Sequence, residues 1–415
     1  MITLQLCQQW DQQDPLAEFK QQFELSENII YLDGNSLGAK PKQTSHCIDQ
    51  VMHQEWATGL ISSWNSAGWW DLPIHLGEKI GRLIGAQNGE TVVTDTTSIN
   101  LFKVLSTAIA LQKQEPQRKV IIAEKDAFPT DLYMIEGFID LIQQGYKLHL
   151  IDSPENLQQY LNNETAAVVL SHVNYRTGYL YDMTATNTLI HQYGAFSIWD
   201  LCHSIGAVPI DLNNSNSDFA IGCTYKYLNG GPGAPAMLWV PQRHQTICNQ
   251  PLSGWWGHQT PFAMTSSYKP ANNIRRYLCG TQPIISMSLV ECGIDIFLKT
   301  NMQTIRAKSL ALTDLLIQLI DQECAQSDLT LITPLQHQHR GSHISLRHSH
   351  GYAIVQALIA RGVIGDYREP EVIRFGVTPL YLSYTDIWYA VQHLKQVFLL
   401  KEWDQPQFHK RSQVT

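Results

Sequence analysis

An α/β protein is what this sequence predicts: a mostly parallel central sheet with helices on both faces, joined to a smaller α+β unit at the C-terminal end. Three observations carry that expectation. Short apolar runs alternate with amphipathic helical stretches through the middle of the chain. Polar residues capable of chemistry recur where those runs end, the place where such sheets gather ligands. Past residue 300 the rhythm changes to one long helical pattern and then to mixed short elements.

Taken in order, SINLFKVLSTAIAL (98–111) has apolar residues at helical spacing, with Thr97 or Ser98 as its cap. KVIIAE (119–124) predicts a buried strand. TDLYMIEGFIDLIQQG (130–145) predicts an amphipathic helix closed by Gly145, and YKLHLID (146–152) the next strand. AAVVLSHV (166–173) is another strand, and a helix over 184–193 ends at Gly194. AFSIWD (195–200), DFAIGCTYK (218–226) and PAMLWV (235–240) complete the sheet. Beyond Met302, MQTIRAKSLALTDLLIQLIDQ is a long helix, GSHISL a strand, GYAIVQALIARG a helix, and a last helix runs from Thr385. The expected division is an N-terminal segment (1–50) packing on the small unit, a large ligand-binding unit (51–300) and the small α+β unit (301–415).

Composition narrows the function. A length of 415 residues is too much for one simple core. Apolar residues make up 44% and charged residues 16%, as in an ordinary soluble protein. The net charge of −8 offers no basic face for nucleic acid. Eight cysteines, at 7, 47, 202, 223, 248, 279, 292 and 324, form no C-x-x-C pair, which argues against a four-cysteine zinc site and a disulfide framework. The N-terminus resembles no signal peptide, and no apolar run reaches the roughly 18 residues of a membrane span, so the expected compartment is the cytoplasm.

Five polar positions fall at strand or helix ends. Thr97 and Ser98 lie at a helix start suited to an anion. Phe128 to Asp131 follow one strand, Ser171 closes another, Asp200 and His203 follow a fourth, and Lys226 a fifth. Each has a plain alternative: a cap, a turn-forming aspartate, a core histidine, a solvated lysine. Together they point to pyridoxal phosphate. The lysine would form a Schiff base, the aspartate would keep the pyridine nitrogen protonated, and the helix start would take the phosphate. The small-residue loop NGGPGAP after Lys226 then leaves room for cofactor and substrate.

WDLCHSIGAVPIDL followed by DFAIGCTYKYLNGGPGAPAMLWV resembles kynureninase, a family of the fold-type I (aspartate aminotransferase-like) enzymes that use pyridoxal phosphate. The likeness continues in IIYLDGNSLGAKP, VVTDTTSINLFK, DAFPTDLY, PLSGWWGHQTPFAM, YLCGTQPIISM and VIRFGVTPLYLSYTDIW, spanning roughly residues 30 to 395. The resemblance implies that Lys226 carries the cofactor, Asp200 faces its ring nitrogen and His203 lies near its phenolic oxygen. It implies that Thr97, Ser98, Asp131, Ser171 and Tyr225 surround the cofactor, with Tyr225 on the phosphate and acting as acid/base, and that Phe128 stacks on the ring. Trp255 and Thr281 would complete the phosphate site from a partner subunit, which implies a homodimer. Ser36, Trp64 and Arg374 would meet the substrate, Arg374 clamping its carboxylate.

The implied reaction is hydrolytic Cβ–Cγ cleavage of L-kynurenine to anthranilate and L-alanine, within tryptophan catabolism by the kynurenine pathway, a route linked to NAD biosynthesis. The 3-hydroxylated substrate is also expected to react. Trp64 and Thr281 resemble bacterial members, which favours unhydroxylated kynurenine. Other readings are a cysteine desulfurase or selenocysteine lyase, for which Cys324 is the sole late cysteine, an aminotransferase, or a cofactor-less binding protein on the same scaffold. The histidine-rich HQHRGSHISLRHSHG (337–351) lacks carboxylates and alternates along a strand, so no metal site is expected there.

Overall fold

The computed structural model describes residues 1–247 and 250–411, so Cys248 and the last four residues of the 301–415 unit lie outside the described residues. Strand β1 is Ile30–Tyr31. Strands β2 (Thr91–Val93), β3 (Val120–Glu124), β4 (Lys147–Ile151), β5 (Thr165–Ser171), β6 (Phe196–Asp200), β7 (Phe219–Gly222) and β8 (Met237–Trp239) form one sheet, in the order β2-β8-β7-β6-β5-β3-β4. The run from β4 across to β7 is parallel throughout. Only β8 is antiparallel, to β7 on one side and to β2 on the other. The expected mostly parallel sheet is therefore present.

Its sequence explains it. Every residue of β5, TAAVVLS, is buried, as a strand covered on both faces requires. Alternate residues feed two cores: Ile121 and Ala123 of β3 join Val169, Ile198 and Ile221 on one face. Ile122 joins Val168, Leu170, Trp199 and Ala220 on the other. A second sheet contains β9 (Thr330–Leu331), β10 (His343–Arg347), β12 (Asp366–Arg368) and β13 (Val372–Gly376), in the order β12-β13-β10-β9, while β11 (Val363–Ile364) pairs with β1. Among the described residues no helix is long and apolar enough to cross a membrane.

Three local expectations need correction. The helix Thr97–Leu111 is capped by Thr96, whose extended backbone lets its hydroxyl accept from Ile99 N; Thr97 and Ser98 are already in the first turn. The helix Pro129–Ile142 ends before Gly145, because Gln143 takes the left-handed conformation. The run 218–226 is not one strand: β7 stops at Gly222. There the Cys223 N–H turns to the Cys202 sulfur (3.2 Å) and the Thr224 hydroxyl donates to Pro235 O (2.6 Å), so the chain leaves the sheet four residues before Lys226.

That departing loop is pinned from two sides. Gly38, in the GNSLG turn after β1, donates its N–H to Tyr225 O (2.8 Å), and a Cβ there would overlap the Lys226 carbonyl. Gly293, on the helix Ile284–Phe297, lies so close to Leu228 and Asn229 that a Cβ would overlap the Leu228 carbonyl. Replacing Gly293 by alanine must push the helix or the loop away. Gly293→Ala is expected to cost roughly 1–3 kcal/mol, read from the urea midpoint, although alanine is the better helix former. An unchanged or raised midpoint would show that the loop yields freely.

Candidate active site

Lys226 opens into a cavity of ≈ 290 Å³ at the carboxyl ends of the parallel strands. Thr97, Ser98, Phe128, Asp131, Asp200, His203 and Tyr225 line it with the lysine. Their positions follow from the fold. Asp200 ends β6, His203 lies in the turn after it, and Phe128 and Asp131 begin the helix that follows β3. The first turn of Thr97–Leu111 presents backbone N–H groups to the same space. Seven of the expected residues thus join the lysine around one cavity.

The electrostatics are unbalanced. Asp131 is 4% exposed and Asp200 5% exposed. Burial first, and then the charge of Asp200, push the Asp131 carboxyl well above the ordinary carboxylate range, with Lys226 pulling the other way. Asp200 accepts one hydrogen bond, from Cys202 N (2.8 Å). Two carboxyl groups therefore share a buried wall with one lysine as their nearby cation. A protonated ring nitrogen would give the buried Asp200 carboxyl a charged partner, and a phosphate would meet the free N–H groups of the helix start. The half-exposed Phe128 ring offers a flat wall 5.8 Å from the Lys226 amine. The residues present fit pyridoxal phosphate.

His203 Nε2 lies 3.4 Å from Lys226 Nζ. Burial, then the Lys226 charge, hold its imidazole well below the ordinary histidine range, so it is neutral. Burial also raises the Tyr225 hydroxyl, leaving it protonated at neutral pH. Ser171 does not line the cavity; it is buried at the end of β5, in register with Asp200.

The remaining expected residues lie apart. Arg374 on β13 is 1% exposed and is gripped by Asp366, with Nε to Oδ1 at 2.8 Å and Nη2 to Oδ2. Burial opposes its charge, but Asp366 overrides that and raises its affinity for the proton. Ser36 donates to Asp366 (2.5 Å) and accepts from Arg374 (3.1 Å). Trp64 and Trp255 border a different hollow of ≈ 490 Å³ with Trp70 and Phe262, and Thr281 is exposed. Within one chain, neither Trp255 nor Thr281 reaches the lysine cavity.

Sequence reasoning missed Asp366, Arg368, Tyr175 and Cys202. A signal for the first was present: DYREPEVIR reads as a hairpin, and its register sets Asp366 opposite Arg374. A larger cavity, ≈ 580 Å³, lies by the helices Gln43–Asp49 and Ile284–Phe297. There Glu291 and Asp295 are paired with Lys79, whereas Asp131 and Asp200 in the smaller cavity meet no ion-pair partner among the described residues.

Residues 305–394 match the family model described as the kynureninase C-terminal domain. Over 416 residues the chain is 56% identical to a kynureninase of Pseudomonas fluorescens, covering 100% of both. It is 53% identical to a kynureninase of Burkholderia pseudomallei, covering 98% of each. Among solved structures, the apo cysteine desulfurase of Thermococcus onnurineus NA1 superposes with TM-score 0.78 at 16% identity, over 92% of this chain and 98% of that one. A C-DES mutant with glycine covalently linked to its PLP cofactor gives 0.77 at 14% identity, over 91% and 98%. At those identities the likeness to the desulfurases concerns the fold.

The raised Asp131 carboxyl has a consequence for the cofactor-free protein. A carboxyl raised by folding stabilises the folded state below its unfolded pKa, and that contribution is lost as pH rises through the folded value. Asp131→Asn should therefore gain thermal stability relative to the parent on going from about pH 5 to about pH 8. Melting curves across that range would refute the raised Asp131 carboxyl if the difference stayed constant.

Proposed function

Because the chain belongs to the kynureninase family, we propose that it hydrolyses the Cβ–Cγ bond of L-kynurenine to anthranilate and L-alanine with pyridoxal phosphate. The observation that carries this is the cavity in which one lysine faces two buried carboxyl groups at a helix start, in a chain that aligns with kynureninases end to end.

Pyridoxal phosphate supplies an electron sink that makes the substrate α-proton acidic and the bond beyond Cβ breakable. Lys226 would hold it, and the lysine amine would carry the substrate α-proton. Asp200 keeps the ring nitrogen charged, and neutral His203 bonds near the phenolic oxygen without adding a competing cation. Thr97 and Ser98 at the helix start, with Asp131 and Tyr225, would surround the cofactor, Phe128 would lie against its ring, and Ser171, outside the cavity, would support Asp200 from the neighbouring strand. A water adds to the γ-carbonyl, and Tyr225, protonated beforehand, returns a proton to the alanine carbon as anthranilate leaves.

Arg374 and Ser36 hold the substrate at its carboxylate end. Trp64 belongs to the aminobenzoyl pocket, and Trp255 with Thr281 reaches the phosphate site of a second copy, which makes the working unit a homodimer. The exposed Trp255 and Phe262, lying against the half-buried Trp70, support that assembly. The large unit would run over 51–300 and the small one over 301–415. Unhydroxylated kynurenine is the preferred substrate, with 3-hydroxykynurenine a second one, in cytoplasmic tryptophan catabolism.

Borohydride reduction followed by peptide mapping should place the cofactor on Lys226, and Lys226→Ala should lose the visible absorption. A tag on another lysine would end the account. Anthranilate fluorescence should grow when kynurenine is added; formation of kynurenic acid instead would refute the reaction while sparing the cofactor. Asp200→Asn should lower kcat by on the order of a hundredfold or more while the cofactor stays bound. Parallel loss of both would make Asp200 a binding group only.

A further inference from the structure

A carboxylate is held best by two parallel N–H donors, and a guanidinium offers five. Arg374 has spent four of its five. Its Nε donates to Asp366 Oδ1, its Nη2 to Asp366 Oδ2 and to Ser36 Oγ, and its Nη1 to Tyr175 O at 2.6 Å. Its side chain is 1% exposed. One N–H of Arg374 is left without a partner in this arrangement.

Arg368 is placed differently. It lies two residues after Asp366 on β12, so the two side chains share a face of that strand, and Asp366 is directly opposite Arg374. Arg368 Nη2 reaches Asp366 Oδ2 (2.7 Å) and Ser36 Oγ (3.0 Å), its Nη1 makes one long contact to Tyr367 O (3.4 Å), and its buried Nε has no hydrogen-bond partner. Its side chain is one third exposed. Tyr175 links this cluster to the lysine cavity: its ring lies 5.9 Å from the Arg374 guanidinium, 5.3 Å from Phe128 and 6.4 Å from His203, which is 3.4 Å from the lysine amine.

We propose that Arg368 supplies the open half of the substrate-carboxylate site, with Asp366 the positioning residue that holds both guanidinium groups, an assignment that rests on the function proposed above. Two arginines and one paired aspartate leave a positive charge unmatched. The neighbouring Asp33 cancels it only in part at neutral pH, because burial and the Asp366 charge push its carboxyl up to about 7. The carboxylate of an amino-acid substrate completes the cluster. Arg368 donates to it from its partly exposed guanidinium, and Arg374 adds its last N–H.

The test is made on holoenzyme carrying Arg368→Gln or Arg368→Lys, with bound cofactor measured by absorbance to certify folding. Kinetics are taken with L-kynurenine, and inhibition with its decarboxylated analogue, the same amino ketone without the carboxylate. Arg368→Gln should raise KM roughly tenfold to a hundredfold and leave kcat within a few-fold, the loss expected for a charge-assisted hydrogen bond. Inhibition by the decarboxylated analogue should not change, and Arg368→Lys should fall between. An unchanged KM, or equal weakening of kynurenine and the analogue, overturns the assignment, the second outcome making Arg368 merely structural. If the parent protein released no anthranilate, the function proposed above would fail instead. Arg368 would then be judged by spectral titration with L-alanine against ethylamine, where loss of L-alanine binding alone supports it and equal binding overturns it.

Discussion

Lys226 is held where its backbone cannot drift and its amine meets no ion-pair partner among the described residues. Two glycines, Gly38 and Gly293, let a turn and a helix press directly on the carbonyls of Lys226 and Leu228. The amine therefore projects into the cavity while the loop behind it is fixed by main-chain contact. A side chain at either glycine would cost that contact. An amine kept free of carboxylate is available to form a bond, and a rigid backbone fixes where that bond forms.

Around this point the protein separates charge into two clusters. At the lysine, Asp131 and Asp200 are buried carboxyl groups that meet no ion-pair partner among the described residues. At the small sheet, Arg368 and Arg374 outnumber the fully ionised Asp366, whose carboxyl is held low by the Arg374 charge in spite of burial. Neutral His203 stands between, held uncharged by burial and by the cations on either side. One cluster wants a cation and the other an anion. A cofactor with a protonated ring, joined to a substrate bearing a carboxylate, answers both without any change in the protein's own charges.

The sequence was most legible where a single element carries the information. The strands KVIIAE and AFSIWD, the helix starting at Thr97 and the loop NGGPGAP were all readable from periodicity and residue type. Less legible were local stops decided by contacts far along the chain. The run through DFAIGCTYK has strand-like composition, yet β7 ends early because Cys223 and Thr224 find partners at Cys202 and Pro235. The helix cap fell one residue before the expected pair because backbone geometry, which composition does not report, chose Thr96 over its neighbours.

By itself, the sequence determined the α/β class, the mostly parallel sheet and the set of side chains that meet at Lys226, since each depends on apolar period and on residues placed at element ends. Only the tertiary structure decided how those side chains are spent. Arg374 looked free in VIRFG but is buried and saturated, because antiparallel pairing of β12 with β13 brings Asp366 across from it. Trp255 and Thr281 lie away from the lysine cavity for a related reason: they sit on loops whose place in space is set by packing between distant segments. Hydrogen-bond capacity is shared out by contact in three dimensions, and a residue's type records only how much of it there is.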